Sequence, residues 1–112
     1  MKIYDEKAAL KLLDGDKELL QILLNTFVTE KKFEKSILKN LFSTGNFSEA
    51  TSYVHATKGA ARQLCMEKLE SSGQILEDTL RKKESGDISA LIEQMAADYE
   101  EAIKLVKNKC TV

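Results

Sequence analysis

Apolar residues recur at spacings of three and four along almost the whole chain, and no proline interrupts them. That spacing gathers residues on one face of a helix, whereas a half-buried strand would alternate with a period of two. Without proline, the breaks between helices must come from glycine-containing segments and from lapses in the apolar stripe. The predicted class is therefore all-α. With 112 residues, 43% of them hydrophobic, the chain has the size and apolar content of one domain spanning 1–112, with a core from about 16 to 107 and no linker.

A short first helix is expected from about Asp5 to Leu13, with Ala8, Ala9, Leu12 and Leu13 on its inner face and Asp14-Gly15-Asp16 as its end. Asp16 is the expected N-cap of a second helix, because its carboxylate can accept a first-turn backbone N–H. That helix is predicted to run as one piece to about Phe42, with Leu19, Leu20, Leu23, Phe27, Ile37, Leu38 and Leu41 on its inner face. Between Thr29 and Glu34 the stripe lapses into Glu30-Lys31-Lys32, which suggests an exposed stretch or a bend. After Ser43-Thr44-Gly45, Asn46 stands three residues before Glu49 in a near capping-box arrangement that starts a third helix. Its inner face is Phe47, Ala50, Val54, Ala61, Leu64 and Cys65. A fourth helix begins near Met66 or Glu67, shows Leu69, Leu76 and Leu80, and stops by Ser85-Gly86. Asp87 caps a fifth, whose stripe of Ile88, Leu91, Ile92, Met95, Tyr99, Ala102, Ile103 and Val106 is the cleanest in the chain. Met95 and Tyr99 read as packing residues. Four long amphipathic helices on short loops, preceded by a short N-terminal one, predict an antiparallel up-down four-helix bundle.

The charge balance is close to neutral, with 17 basic and 18 acidic residues. No strong field points toward nucleic acid or an anionic membrane, so the expected partners are proteins. The clusters Lys31-Lys32-Lys35 and Arg81-Lys82-Lys83 are interleaved with acids and lack accompanying aromatics, which reads as solvated helix surface. No apolar run approaches the length of a membrane span, and Met1 to Glu6 lacks a secretory layout, so the expected compartment is the cytoplasm. Cys65 and Cys110 are too few and too distant for a zinc cluster or a disulfide framework. Cys65 reads as core and Cys110 as tail.

One residue carries the chemistry. At about 100° per residue, His55 points roughly 130° away from the mean of Phe47, Ala50, Val54, Ala61 and Leu64, and so should face solvent. Lys58, Gly59 and Arg62 follow it at three, four and seven positions, on the next turns of the same surface. If His55 carries phosphate, Lys58 and Arg62 can offset its charge. Gly59 costs roughly 1 kcal/mol of helix stability relative to alanine, so something other than helix propensity must favour it. Its missing side chain leaves room beside the imidazole for a second protein to bring a reacting group in line. An exposed imidazole is a competent nucleophile at cellular pH. Phosphoryl transfer then needs mainly positioning and charge stabilisation. No glycine loop of the kind that cradles ATP phosphates is present, so phosphate should come from a protein. A bundle metal centre would need a Glu-x-x-His pair on each of two helices, whereas this chain has one histidine with Ser52 three positions before it.

The segment His55-Ala56-Thr57-Lys58-Gly59-Ala60-Ala61 resembles the signature of the histidine phosphotransfer family, in which lysine and glycine follow the histidine at these spacings. Asp16-Lys17-Glu18-Leu19-Leu20, Gly45-Asn46, Leu69 and Leu76-Glu77 resemble further family positions, so the similarity covers about Asp16 to Val106. The resemblance implies a four-helix bundle working between response-regulator receiver domains, one of them on a hybrid sensor kinase, in a multistep phosphorelay. By position it makes His55 the phosphate carrier, Lys58 its charge partner and Gly59 the access residue. It places Glu77 where a family member often carries a side chain that hydrogen-bonds the imidazole, although Glu77 reads equally well as one more charge beside Asp78. It implies a monomeric carrier rather than an enzyme, with no cofactor or metal of its own, Mg2+ coming from the receiver. The chain departs from the family in reading Arg62-Gln63-Leu64-Cys65-Met66 where a glycine often ends the helix.

Without its neighbours His55 would be an ordinary surface histidine, and Arg62 alone would be solvated helix face. The docking band expected for a receiver is Ser48, Ser52, His55, Gly59, Arg62 and Gln63, with nearby parts of the second helix. The competing class is a non-catalytic helical adaptor that docks receivers or other signalling proteins through the same face.

Overall fold

The computed structural model describes residues 1–30, 33–82 and 87–110, with the side chains of Lys109 and Cys110 excepted. Lys31, Lys32, Lys83 and the Ser85-Gly86 stop therefore lie outside the described residues. Those residues form six helices and no strand: α1 (Glu6–Leu12), α2 (Lys17–Glu30), α3 (Lys35–Ser43), α4 (Phe47–Gln63), α5 (Glu67–Lys82) and α6 (Ile88–Cys110). None of them is long and apolar enough to cross a membrane.

The helix starts follow local chemistry. The carboxylates of Asp5, Asp16 and Asp87 each accept the backbone N–H three residues on, at 3.0–3.1 Å. Asn46 does not complete a capping box: its side-chain amide donates to the Thr44 hydroxyl at 3.0 Å, and the α4 N-terminus has no side-chain cap. Three helix ends share one closing motif, in which the third residue past the end donates back to a carbonyl five positions earlier. Gly15, Asn46 and Met66 do this onto Leu10, Leu41 and Ala61 at 2.8–2.9 Å. The residue before each is left-handed: Asp14 (φ 56°), Gly45 (φ 80°) and Cys65 (φ 56°). Cys65 thus takes, without being glycine, the conformation glycine takes most cheaply, and it is half-buried rather than core.

The single helix expected from Asp16 to about Phe42 is in fact two, and Phe33 explains why. In an unbroken helix Phe33 would lie about 180° from the buried Leu24 and face solvent. The break turns it inward to the rings of Tyr99 (centroids 5.4 Å apart) and Tyr53 (5.8 Å), while the Glu34 N–H donates to the Tyr53 hydroxyl at 2.7 Å. Three residues expected inside are exposed: Leu12, Leu19 and Ile37. Lys35 and Lys39 pair across to Glu93 on α6 at 3.1 and 2.6 Å.

Packing runs in a ring: α4 against α5, α5 against α6, α6 against α2 and α3, and α3 against α4, with α1 on α2. The most deeply buried large side chains are Leu38, Val54, Met66, Leu69, Leu76, Leu80, Ile92, Met95 and Val106. Each contributes roughly 1.5–3 kcal/mol by leaving water. The N-terminal segment crosses the α4–α5 turn, with the Asp5 N–H on the Cys65 carbonyl and the Lys68 N–H on the Lys2 carbonyl.

Candidate functional site

Helix α4 turns Ala50, Val54, Thr57, Lys58 and Ala61 inward. His55, one position round from Val54, stays outside with its side chain 60% exposed, as the helical angle requires. Burial of Thr57 and Lys58 shows that the covered face is wider than the apolar residues alone indicate. The cover is α5, and Gly73 lets it come close: a Cβ there would stand 3.2 Å from the Lys58 Cβ and 3.3 Å from the Met95 Cε. Any side chain there would press on these two neighbours more tightly than ordinary van der Waals contact and would have to push them aside by a few tenths of an ångström.

Glu77, one turn beyond Gly73 on α5, is the hub. Its side chain is 5% exposed. Oε1 lies 3.0 Å from the His55 Nδ1 and 3.0 Å from the Lys58 Nζ, and Oε2 accepts from the Arg81 Nε at 2.9 Å and lies 2.8 Å from an Nη. Burial pushes the Glu77 carboxyl up, but the hydrogen bonds from Lys58, His55 and Arg81 together with the Lys58 charge outweigh it and hold the pKa down to about 2. The group is therefore a carboxylate at any cellular pH, and a carboxylate only accepts. It follows that Nδ1 carries the hydrogen in this bond and that the lone pair of the neutral ring is on Nε2. The imidazole is held in one tautomer and one orientation.

The remaining predicted residues are placed as follows. Lys58 is not a solvated cation beside His55: its side chain is 7% exposed and also donates to the Gln74 Oε1 at 3.0 Å. Gln74 passes the chain on to Asp78 at 2.9 Å. No atom approaches within 4 Å of where a Gly59 Cβ would be, so the space beside the ring is open. Arg62 donates to Glu70 at 2.7 Å, two turns before Glu77 on α5, and does not join the cluster. Ser48 and Ser52 line a groove of about 700 Å³ together with His55, Ala56 and Arg81. Gln63 lines a different one, of about 450 Å³, between α2 and α4 with Leu23, Phe27, Ala56 and Ala60. Of the predicted docking band, Ser48, Ser52 and His55 thus line one groove and Gln63 the other, the two sharing Ala56, while Gly59 and Arg62 line neither.

Arg81, which in sequence reads as solvated surface, belongs instead to the site. Gly73 is a further site residue that sequence reasoning misses, although the argument used for Gly59, a glycine inside a helix, applies to it equally. Compared with protein-family models, with curated proteins and with solved structures, the chain finds no match in any of the three.

Proposed function

We propose that this chain is a histidine phosphotransfer domain, which accepts a phosphoryl group on His55 from the phospho-aspartate of one receiver domain and passes it to another. One observation carries the reading: an exposed imidazole whose Nδ1 is held by a buried carboxylate, beside a helical glycine that leaves its flank open. In the forward step the Nε2 lone pair attacks phosphorus and an N–P bond forms. The P–O bond to the receiver's aspartyl oxygen breaks, and its electron pair leaves with the carboxylate. The hydrogen stays on Nδ1, and the positive charge that develops on the ring faces Glu77. The reverse step loads the next receiver.

The packing ring supports reading α2 and α3 together as one wall of a four-helix up-down bundle, with α4, α5 and α6 as the others and α1 as an extra turn. On this reading the domain is a monomeric cytoplasmic carrier without ATP-dependent activity, and its partners are receiver domains, including that of a hybrid sensor kinase, which bring the Mg2+.

The test is incubation of the full chain with phosphorylated receivers and magnesium, followed by intact mass and by the stability of the adduct in acid and base. We expect one acid-labile, base-stable phosphoryl group on the wild type and none on His55→Gln, whose amide can still donate to Glu77 and preserve the fold. Transfer through His55→Gln, or no uptake by the wild type from any receiver of the source organism, would overturn the carrier and leave a non-catalytic adaptor.

A further inference from the structure

We infer that the cation meeting the transferred phosphoryl group is Arg81, and that Lys58 acts at one remove, by holding Glu77. The inference rests on the carrier reading above and departs from the role that the signature spacing gives to Lys58.

Lys58 is poorly placed to meet a phosphate. Its ammonium is shared between Glu77 and Gln74 inside the α4–α5 interface, at 3.0 Å from each. Reaching outward would strip the Gln74 oxygen of its donor and leave Glu77 Oε1 with the His55 N–H alone, in a region of low dielectric where polar groups left unpaired are costly. Arg81 has neither constraint. It stands one turn beyond Glu77, its side chain is 58% exposed, and it lines the same groove as His55 and Ser52. Among the described residues only Glu77 is bonded to it, through Nε and one Nη on a single oxygen. A guanidinium has five N–H donors in a rigid fork suited to phosphate oxygens, so the contact with Glu77 leaves most of them for an anion.

The carboxylate links the two groups. Oε1 orients the imidazole and Oε2 orients the guanidinium. Glu77 therefore fixes the nucleophile and the phosphate-binding cation relative to each other, and Lys58 supplies the buried charge that keeps Glu77 ionised. Without Arg81, a dianionic phosphoryl group would arrive beside a carboxylate with no exposed cation from the cluster to separate them. Arg62 does not substitute, because it lies two turns along α4 from His55, against Glu70, and does not line the groove that holds His55 and Arg81.

The experiment compares rates of phosphoryl transfer from a phosphorylated receiver to the wild type, Arg81→Gln, Arg81→Lys and Lys58→Met, each with the imidazole 15N spectrum that reports the His55 tautomer. For Arg81→Gln we expect transfer slowed about a hundredfold to a thousandfold, as for loss of one donor to a developing anion, with the Nδ1–H tautomer signal unchanged. Arg81→Lys keeps the charge and should recover part of the rate. Lys58→Met should shift the signal toward a mixture of tautomers. If the wild type accepts phosphate and Arg81→Gln accepts it equally fast, the inference fails while the carrier stands. If Arg81→Gln disturbs the tautomer as Lys58→Met does, Arg81 is a positioning residue and the inference also fails. A wild type that accepts no phosphate removes the carrier reading and this inference with it.

Discussion

Helices α4 and α5 meet across a glycine and a buried cluster of charges, whereas α2 and α3 offer the same core a broken, partly uncovered face. In the first pair Gly73 brings the backbones close enough for Lys58 and Glu77 to be enclosed together. Enclosing ions costs desolvation that their attraction barely repays, so such a cluster is a weak source of stability and a strong source of fixed geometry. In the second pair no comparable cluster exists among the described residues. Leu19 and Ile22 remain exposed on α2, and a groove floored by Phe27 and Leu64 opens between α2 and α4. Exposed apolar residues beside a groove suit a surface that another protein covers. In the proposed relay the rigid pair carries the chemistry, and the open pair next to it offers surface for docking.

The largest expected effect separates these two regions. Lys58→Met leaves Glu77 short of its buried cation and Gln74 short of its donor, and should cost about 3 kcal/mol in denaturant unfolding. Ile22→Ser removes an already exposed side chain and should stay within about 0.5 kcal/mol. Comparable losses from the two variants would break the contrast, because the exposed face of α2 would then matter to stability as much as the charge cluster does.

Acid should act next, and most on the buried charge cluster. The Glu77 carboxyl titrates near 2 in the folded chain against an ordinary value of 4.5. A depressed carboxyl contributes stability that is fully present above the ordinary value and is lost as pH falls from about 4.5 toward 2, here on the order of 3 kcal/mol. Stability measured across that window should fall more steeply in the wild type than in Glu77→Gln. Parallel profiles would mean that Glu77 is not held by its three donors.

What is legible in the sequence divides along the same line. The exposure of His55 follows from 100° per residue, because one helix carries both the histidine and the apolar face that defines inside. The burial of Lys58 cannot follow from that count. A helical wheel places a residue at an angle but does not say what covers it, and the cover comes from Gly73, fifteen positions later in another helix. Glu77 is reachable through the resemblance alone, since a contact 22 positions apart leaves no periodic trace. Arg81 is hidden by its company in a basic run that reads as solvent-facing. The break before α3 is half legible. The lapse after Thr29 marks the place, but only Phe33, out of phase with the stripe, shows that the chain must leave the helix to bury it.

The smallest effect concerns the turn that joins the two site-bearing helices. Gly45 and Cys65 occupy equivalent places in the closing motifs of α3 and α4, both with positive φ. A left-handed conformation costs a residue with a Cβ roughly 1 kcal/mol, which glycine avoids, although glycine also gives the unfolded chain more freedom to lose. Cys65→Gly should therefore raise stability by about 0.5 kcal/mol, and the thiol it removes is only half-buried. Gly45→Ala meets no atom within 4 Å, so its expected loss of about 1 kcal/mol is purely conformational. Opposite signs in thermal unfolding would show that both turns are governed by backbone conformation. A loss for Cys65→Gly would mean instead that the thiol's packing near Asp5 and Met66 outweighs the strain, and that the α4–α5 turn is stabilised by its side chain.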